Sequence, residues 1–161
     1  MKRCTGFTLI ELIITVAIAA IVMAIGIPSF RDTIRENRLT TYNNQFITAL
    51  NLARSEAINL GSTVTLCSSD GATCKSGGYQ QGWIVFRNRS GGANPANAAA
   101  IIRVFEKLPE GMTLIGSVDS VSYTSIGTGT AGTWSLCKDD KGRGVEVTAL
   151  GRIKSNTFTC P

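Results

Sequence analysis

Apolar residues fill the first part of the chain almost without interruption. From Leu12 to Ile27 every residue is apolar except Thr15 and Gly26. With the apolar residues just before Leu12, the run reaches about the twenty residues that a membrane-spanning helix needs. Glu11 interrupts it, and a carboxylate in the middle of a hydrocarbon layer costs roughly 2.5 to 3.5 kcal/mol. The pattern predicts a membrane-compatible helix with one charge that needs a partner.

Beyond Pro28, apolar residues recur every three or four positions, which is typical of an amphipathic helix. These residues are Phe30, Ile34, Tyr42, Phe46, Leu50, Ala53 and Ala57. Leu60 and Gly61 then supply a helix stop. We therefore expect a single stem helix over residues 7–60, about 80 Å long at 1.5 Å per residue.

The remaining residues, 61–161, alternate short β-prone runs with glycine-rich and serine-rich turns. The predicted strands are Ser62–Cys67, Gly82–Arg87, Ile101–Glu106, Met112–Ile115, Ser120–Ser125, Thr133–Cys137, Arg143–Thr148 and Arg152–Lys154. Their spacing favours antiparallel pairing. The pattern thus predicts an α+β fold shaped like a ladle, with the long helix packed on a β-rich globular head.

The cysteines are distributed unevenly. Cys4 precedes the apolar run, whereas Cys67, Cys74, Cys137 and Cys160 follow it. Four cysteines behind an export segment indicate two disulfides in an oxidising compartment. The pairs Cys67–Cys74 and Cys137–Cys160 are favoured because each closes the shorter loop, and the other two pairings stay open.

Composition gives no support for catalysis. The chain contains no histidine, which removes the commonest general base and the commonest transition-metal ligand. The first cysteine pair has six residues between its members and the other cysteines lie far away, which disfavours a zinc site. We therefore expect no enzyme activity, no metal and no cofactor.

Two short strings resemble chemical motifs only formally. Gly127 to Gly132 fits the spacing of the dinucleotide-binding fingerprint, but a predicted strand follows it where that fingerprint needs a helix. Asp139 and Asp140 precede Lys141 and Gly142, which favours the polar tip of a hairpin over an acid pair. Both strings are interpreted as turns.

Three interpretations of the N-terminal segment compete. A secretory signal peptide explains the basic residues and the apolar core, but it tolerates a charge at the head of that core poorly. A simple membrane anchor places the basic residues on the cytoplasmic side and leaves Glu11 unexplained. Cleavage after Gly6 would create an amine on Phe7, four residues from Glu11, and such an amine neutralises the carboxylate in its own or a neighbouring subunit.

Basic residues near the C-terminus allow two interpretations. Arg152 and Lys154 fall on one face of an extended segment, and Lys138, Lys141 and Arg143 approach through the predicted hairpin. At a formal net charge of +5, a solvated face with counterions is the simpler interpretation. The functional alternative is a shallow, salt-sensitive groove for a DNA backbone.

The leader identifies a family. The string Gly6-Phe7-Thr8-Leu9-Ile10-Glu11, behind a short basic segment, resembles the type IV prepilin signature at every position. The resemblance implies that a prepilin peptidase removes residues 1–6 by cutting between Gly6 and Phe7 and then methylates the Phe7 nitrogen. It also implies that Glu11 aligns subunits by meeting the N-terminus of a neighbour, and that the stem kinks or locally melts at Pro28.

The rest of the chain resembles the GspH/FimT group of minor pilins and pseudopilins. The stretches that carry this resemblance are Ala53–Ala57, Gly82–Phe86 and Gly151–Lys154. Some members of the group carry a C-terminal glycine-arginine-any-arginine string that is implicated in DNA uptake. This chain has Lys154 in the last place, which keeps the charge and loses the planar fork of arginine.

Together the resemblances imply a FimU-like minor pilin that is not an enzyme. Such a subunit crosses the inner membrane once with its head in the periplasm, then enters a surface pilus used for adhesion and twitching motility. Its partners would be major and minor pilins, the prepilin peptidase and the inner-membrane assembly platform. Two alternatives stay open: a GspH-type minor pseudopilin of a type II secretion system, and a DNA-binding minor pilin of natural transformation.

Overall fold

The computed structural model of the chain describes residues 8–160, apart from the side chain of Pro28. The expected leader and Phe7 lie outside the described residues. Two compact units divide the chain between Asn37 and Arg38. One helix, α1 Leu9–Asn59, begins in the first unit and ends in the second.

In the first unit, the described residues after Thr8 all belong to α1. Its large apolar side chains from Leu9 to Phe30 are between 51% and 75% exposed. Phe30 and Ile34, which the periodic pattern placed on the packed stripe, are 68% and 40% exposed, so this part of the prediction was wrong. The physical reason is that the described residues of this unit provide no second element against which the helix could bury a face.

The second unit combines the end of α1 with eight strands among the described residues. They are β1 Val64–Ser68, β2 Trp83–Arg87, β3 Ile101–Phe105, β4 Met112–Gly116, β5 Ser120–Tyr123, β6 Gly132–Lys138, β7 Lys141–Val147 and β8 Ile153–Thr159. A single 3₁₀ turn, Ala98–Ala100, precedes β3. The strands form two antiparallel sheets, in the orders β3-β2-β1-β5 and β4-β6-β7-β8. The α+β prediction with antiparallel strands is confirmed.

The core of the second unit forms where α1 meets both sheets. Phe46 lies at its centre, and its ring is 5.4 Å from that of Tyr79, 5.3 Å from Trp83 and 5.6 Å from Trp134. Trp83 belongs to the first sheet and Trp134 to the second, while Tyr79 lies in the connection between β1 and β2. Edge-to-face contacts of this kind add to the hydrophobic gain of burial. One helical side chain therefore links both sheets.

The first sheet is covered on both faces. Val64 and Leu66 of β1 face the main core, while Cys67 packs with Ile84 and Phe86 in a second apolar cluster. The Cys67–Cys74 disulfide, with a Cα–Cα distance of 5.6 Å, ties the loop after β1 onto this cluster. All five β1 residues are consequently buried. A strand with one exposed face would instead alternate buried and exposed residues.

The second disulfide joins Cys137 in β6 to Cys160 just after β8, with a Cα–Cα distance of 6.1 Å. Both disulfides are the pairs that shorter loop closure favoured. β8 is longer than the Arg152–Lys154 strand expected from sequence, because it pairs with β7 from Lys141↔Thr159 to Val147↔Ile153. Its later residues are mostly polar, so this edge strand is held by its hydrogen bonds to β7 and by the disulfide rather than by apolar burial.

Breaking the Cys137–Cys160 bond is expected to lower the free energy of unfolding by roughly 3 kcal/mol, because the bond closes a loop with a sequence separation of 23. Urea unfolding of the full chain in detergent, followed by tryptophan fluorescence, measures this loss. Cys137→Ala, Cys160→Ala and the double variant should lose equal amounts, since each breaks the same bond once. Clearly additive losses would mean that packing of the cysteines, not the cross-link, provides the stability.

Candidate assembly site

The start of α1 carries the residues expected to direct assembly. The Thr8 hydroxyl accepts a hydrogen bond from the Glu11 backbone N–H at 3.3 Å, and α1 begins at Leu9. Thr8 and Glu11 have the spacing of a capping box, in which the first residue caps the helix and the acid lies in its first turn. An acid in this position also interacts favourably with the positive end of the helix dipole. Sequence reasoning had treated Glu11 as a charge in an apolar segment that meets the N-terminus of a neighbour, and it had missed the capping role of Thr8.

The apolar part of α1 is long and apolar enough to span a membrane, with a mean hydropathy of 2.7 over its best 18 residues. Thr15 donates its hydroxyl hydrogen to the Leu12 carbonyl at 2.8 Å, so its polar group has a partner inside the helix. The helix continues through Pro28 and is not melted there in the structure. Pro28 has no N–H, so one helical hydrogen bond is missing at this point.

Arg54 connects the last turns of α1 to two loops. Its Nε donates to the Gly127 carbonyl at 3.1 Å, and its Nη2 lies 3.4 Å from the Leu150 carbonyl. Gly127 lies between β5 and β6, and Leu150 lies between β7 and β8. Only the fold shows that one side chain joins the helix to both sheets.

Gly151 is required for this junction. Its φ is +74°, and a Cβ placed on it would lie 2.2 Å from the Gly127 carbonyl oxygen. Gly151→Ala is expected to lower the free energy of unfolding by at least about 2 kcal/mol. The alanine would have to adopt a left-handed backbone conformation, and its Cβ would also clash with the Gly127 carbonyl oxygen. Urea unfolding checks this value. Gly92→Ala is the matched control, since its new Cβ would make only contacts of 3.6 Å and 3.7 Å, and an equal loss in both variants would contradict the argument.

The five cations expected near the C-terminus lie at different places. Lys138 and Lys141 pair across the β6–β7 hairpin, and Lys138 Nζ is 3.4 Å from the Glu110 carbonyl. Arg143 donates to the Thr40 hydroxyl at 3.0 Å and so faces α1. Lys154 pairs with Glu146, five positions along β7 from Lys141, which is roughly 17 Å.

Arg152 and Lys154 themselves flank Ile153 at the start of β8, and both are exposed. Lys154 stands opposite Glu146, so it belongs to the face of the second sheet away from the buried Val145 and Val147. Over residues 8–160, neither cation makes an ion pair. Arg152 and Lys154 therefore lie apart from the Lys138–Lys141 pair and from Arg143.

Two tyrosines in the core have perturbed protonation equilibria. Burial raises the pKa of Tyr123 to about 12, and the positive charge of Arg54 opposes part of that rise. Burial likewise raises the pKa of Tyr79 well above its usual range. Both phenols remain neutral at physiological pH, as packed core side chains do.

The two strings that resembled chemical motifs are turns. Gly127 has a φ of +80° and its N–H bonds to the Thr124 carbonyl at 2.9 Å, in the connection before β6. Asp139 and Asp140 form the tip between β6 and β7, with Asp139 at a φ of +53°. Within the described part of the chain, no group of three histidine, cysteine or acidic residues could hold a metal ion.

Comparison with known protein families identifies the family to which the chain belongs. The family model described as type II transport protein GspH matches residues 43–151, which is more than half of the chain. The chain belongs to the GspH family. A second model, the prokaryotic N-terminal methylation motif, matches residues 1–27 of this GspH-family chain. The predicted resemblances to the N-terminal methylation motif and to the GspH/FimT group are both confirmed.

One curated relative matches over a shorter stretch. Prepilin peptidase-dependent protein D of Escherichia coli (strain K12) is 43% identical over 47 residues, which is 29% of this chain. The match covers 32% of that protein, so it spans about a third of the relative's length. It supports the prepilin character of the GspH-family chain.

Solved structures of minor pilins share the fold. The type IV minor pilin FimU of Pseudomonas aeruginosa aligns with a TM-score of 0.62 at 22% identity, over 76% of this chain and 90% of FimU. The minor pseudopilin EpsH of the type 2 secretion system of Vibrio cholerae aligns with a TM-score of 0.56 at 15% identity, over 74% of this chain and 96% of EpsH. At these identities the likeness shows a shared fold for this GspH-family protein, whose N-terminal segment matches the methylation motif.

Proposed function

We propose that this chain is a minor pilin of a type IV pilus, a non-enzymatic subunit that helps to start or cap the fibre in adhesion and twitching motility. The observation that carries the proposal is the exposed apolar segment of α1, whose first turn contains Glu11 and is capped by Thr8. A side-chain surface of this kind gains free energy by packing against similar helices in a membrane or in a fibre core.

Processing prepares the segment for assembly. Cleavage between Gly6 and Phe7 leaves residues 7–60 as the stem and 61–161 as the globular head. The stem crosses the inner membrane once, with the head in the periplasm, until the assembly platform extracts it into the fibre. During that step the Glu11 carboxylate meets the Phe7 amine of a neighbouring pilin, and this pairing sets the register between the two stems. Pro28 supplies a point at which the stem helix can bend.

The pilus assignment is supported by the likeness to FimU, which is a type IV minor pilin. The competing assignment is a minor pseudopilin of a type II secretion system, which the family description and the likeness to EpsH support. Deleting the gene for this chain in its own host distinguishes the two assignments. A pilus subunit gives loss of surface pili and twitching with normal protein secretion, whereas a pseudopilin gives the reverse.

DNA binding is a further candidate because Arg152 and Lys154 have no ion-pair partner in residues 8–160. If these cations contact phosphates, changing both to glutamine should reduce the slope of log affinity against log salt by about 2, at roughly 0.9 per contact. Titration of the full chain in detergent with short duplex DNA, at several salt concentrations, measures the slope.

The matched control changes two exposed cations elsewhere in the head, Arg89→Gln with Lys107→Gln. These have the same charge change and should leave the slope within about half a unit of the parent value. No salt-dependent binding by the parent, or equal losses in both double variants, would remove DNA from the proposed function. The pilus assignment does not depend on that result.

A further inference from the structure

Three exposed large apolar residues belong to segments that meet beside the end of α1. Ile58 is in the last turn of the helix, Ile126 lies between β5 and β6, and Leu150 lies between β7 and β8. They are 50%, 80% and 70% exposed, respectively. We call these three residues the apolar patch. Single exposed apolar residues are ordinary on a protein surface, but three from separate segments in one place are not.

Specific contacts bring these segments together. Arg54 is hydrogen-bonded to the carbonyls of Gly127 and Leu150, the residues at or next to the two loop members of the patch. A Cβ on Gly127 would lie 3.1 Å from Ile58 Cδ1, so the Gly127 backbone contacts the helical member of the patch. The Gly129 N–H also donates to the Ala149 carbonyl at 3.0 Å.

The patch is therefore preorganised. Its loops are fixed to each other and to the helix by hydrogen bonds that do not involve the apolar side chains. Loop tips are normally polar, and these three side chains contribute little to the core, so folding does not account for them. A surface held in its binding conformation loses less entropy on association than a mobile one. This arrangement is typical of a protein docking surface.

Charge indicates what the patch fits. Arg54 and the exposed Arg152, which follows Gly151, lie beside the patch, and neither makes an ion pair within residues 8–160. A second copy of this chain would bring the same arginines face to face in a two-fold contact, which is unfavourable. A partner with apolar side chains and an acidic group fits both features.

The position of the patch disfavours the membrane as its partner. Within the second unit, α1 runs from Arg38, where the chain arrives from the membrane-compatible segment, to Ile58 beside the patch. Twenty residues of helix separate those points, which is about 30 Å. The patch is thus at the far end of this unit's helix from the residues that lead to the membrane.

We propose that the apolar patch docks the head of a different pilin subunit in the same fibre, through apolar contacts rimmed by an acidic side chain that meets Arg152. This inference rests on the proposed role as a fibre subunit. It adds a head-to-head contact to the packing of the stems, and it assigns Arg152 to a protein partner.

Photo-crosslinking in the full chain, produced in its own host, tests this contact. Benzoylphenylalanine replaces Ser125, an exposed residue beside the patch, and in a second experiment it replaces Val16, which is 61% exposed on the stem. Adducts are identified by mass spectrometry. Val16 reports whether the chain packs in a fibre at all, and Ser125 reports what lies against the patch.

Patch variants make the test specific. Ile126→Ser with Leu150→Ser, and separately Arg152→Glu, should each reduce the Ser125 adduct with another pilin by roughly tenfold or more. The matched controls are Ile115→Ser with Val104→Ser, which are 61% and 48% exposed elsewhere, and Arg89→Glu at an exposed arginine away from the patch. These controls should keep the adduct within about twofold of the parent. Unfolding in urea verifies that every variant folds.

Each result has one meaning. A Ser125 adduct with a different pilin that the patch variants lose and the controls keep supports the inference. The inference is overturned if Ser125 forms adducts with lipid or with a second copy, if it forms no adduct, or if the controls lose the adduct equally. In each of these cases, pilin adducts at Val16 leave the proposed function in place. Absence of pilin adducts at both positions overturns the proposed function and the inference with it.

Discussion

Replacing Glu11 with alanine is expected to reduce incorporation of the chain into fibres at least tenfold, while membrane insertion and removal of the leader continue. Insertion continues because alanine lowers the cost of placing this segment in lipid. Incorporation falls because a neighbour's Phe7 amine loses its carboxylate in a setting of low dielectric constant, where breaking a buried pair costs about 3 to 5 kcal/mol. Quantitative immunoblotting of sheared pili against whole cells measures the ratio.

Glu56→Ala is the matched control, because it removes the same charge from the same helix at a position in the second unit, away from the membrane-compatible segment. Its incorporation should equal that of the parent chain. Mass spectrometry of the N-terminal peptide verifies that the Glu11 variant is cut after Gly6. A processed Glu11→Ala chain that enters fibres at the parent level would remove the assembly role of this carboxylate.

Replacing Phe46 with alanine should lower the free energy of unfolding by about 3 to 5 kcal/mol, the usual cost of removing a large buried aromatic side chain. Phe46 is 1% exposed, and its ring lies within 5.6 Å of the rings of Tyr79, Trp83 and Trp134. The cavity would therefore open between α1 and both sheets. Urea unfolding of the full chain in detergent measures the loss, because both tryptophans contact Phe46 and report on this site.

Asn44→Ala serves as the control for Phe46, since Asn44 is exposed on the same turn of α1. Its unfolding free energy should change by less than about 0.5 kcal/mol. If Phe46→Ala lost no more than Asn44→Ala, the aromatic cluster would not hold the helix to the sheets. Intermediate losses near 2 kcal/mol would indicate that the surrounding rings relax into the space.

The same helix shows where pattern reasoning succeeded and where it failed. Phe46, Leu50, Ala53 and Ala57 recur at helical spacing and are buried as that spacing predicts. Phe30 has the same spacing and is 68% exposed. Periodicity records that a face is apolar, but a face becomes buried only if another element is available to cover it.

The candidate cation site shows the same limit. Lys138, Lys141 and Arg143 are close to one another in sequence, and a hairpin between them was correctly expected. Side-chain direction alternates along a strand and register sets the cross-strand neighbours, so Arg143 faces Thr40 on α1 while Lys154 stands opposite Glu146. Register depends on hydrogen bonding over the whole of β7 and β8, which a local pattern does not contain.

Sequence alone determined the membrane-compatible segment, the charge at Glu11 and the α+β class of the chain, because these follow from local composition, spacing and motif. Tertiary structure decided the junction of Arg54 with Gly127 and Leu150, the burial of both faces of β1, and the apolar patch of Ile58, Ile126 and Leu150. Each of these features joins residues from separate segments. The free energy that brings them together comes from burying one common core, which is a property of the whole fold.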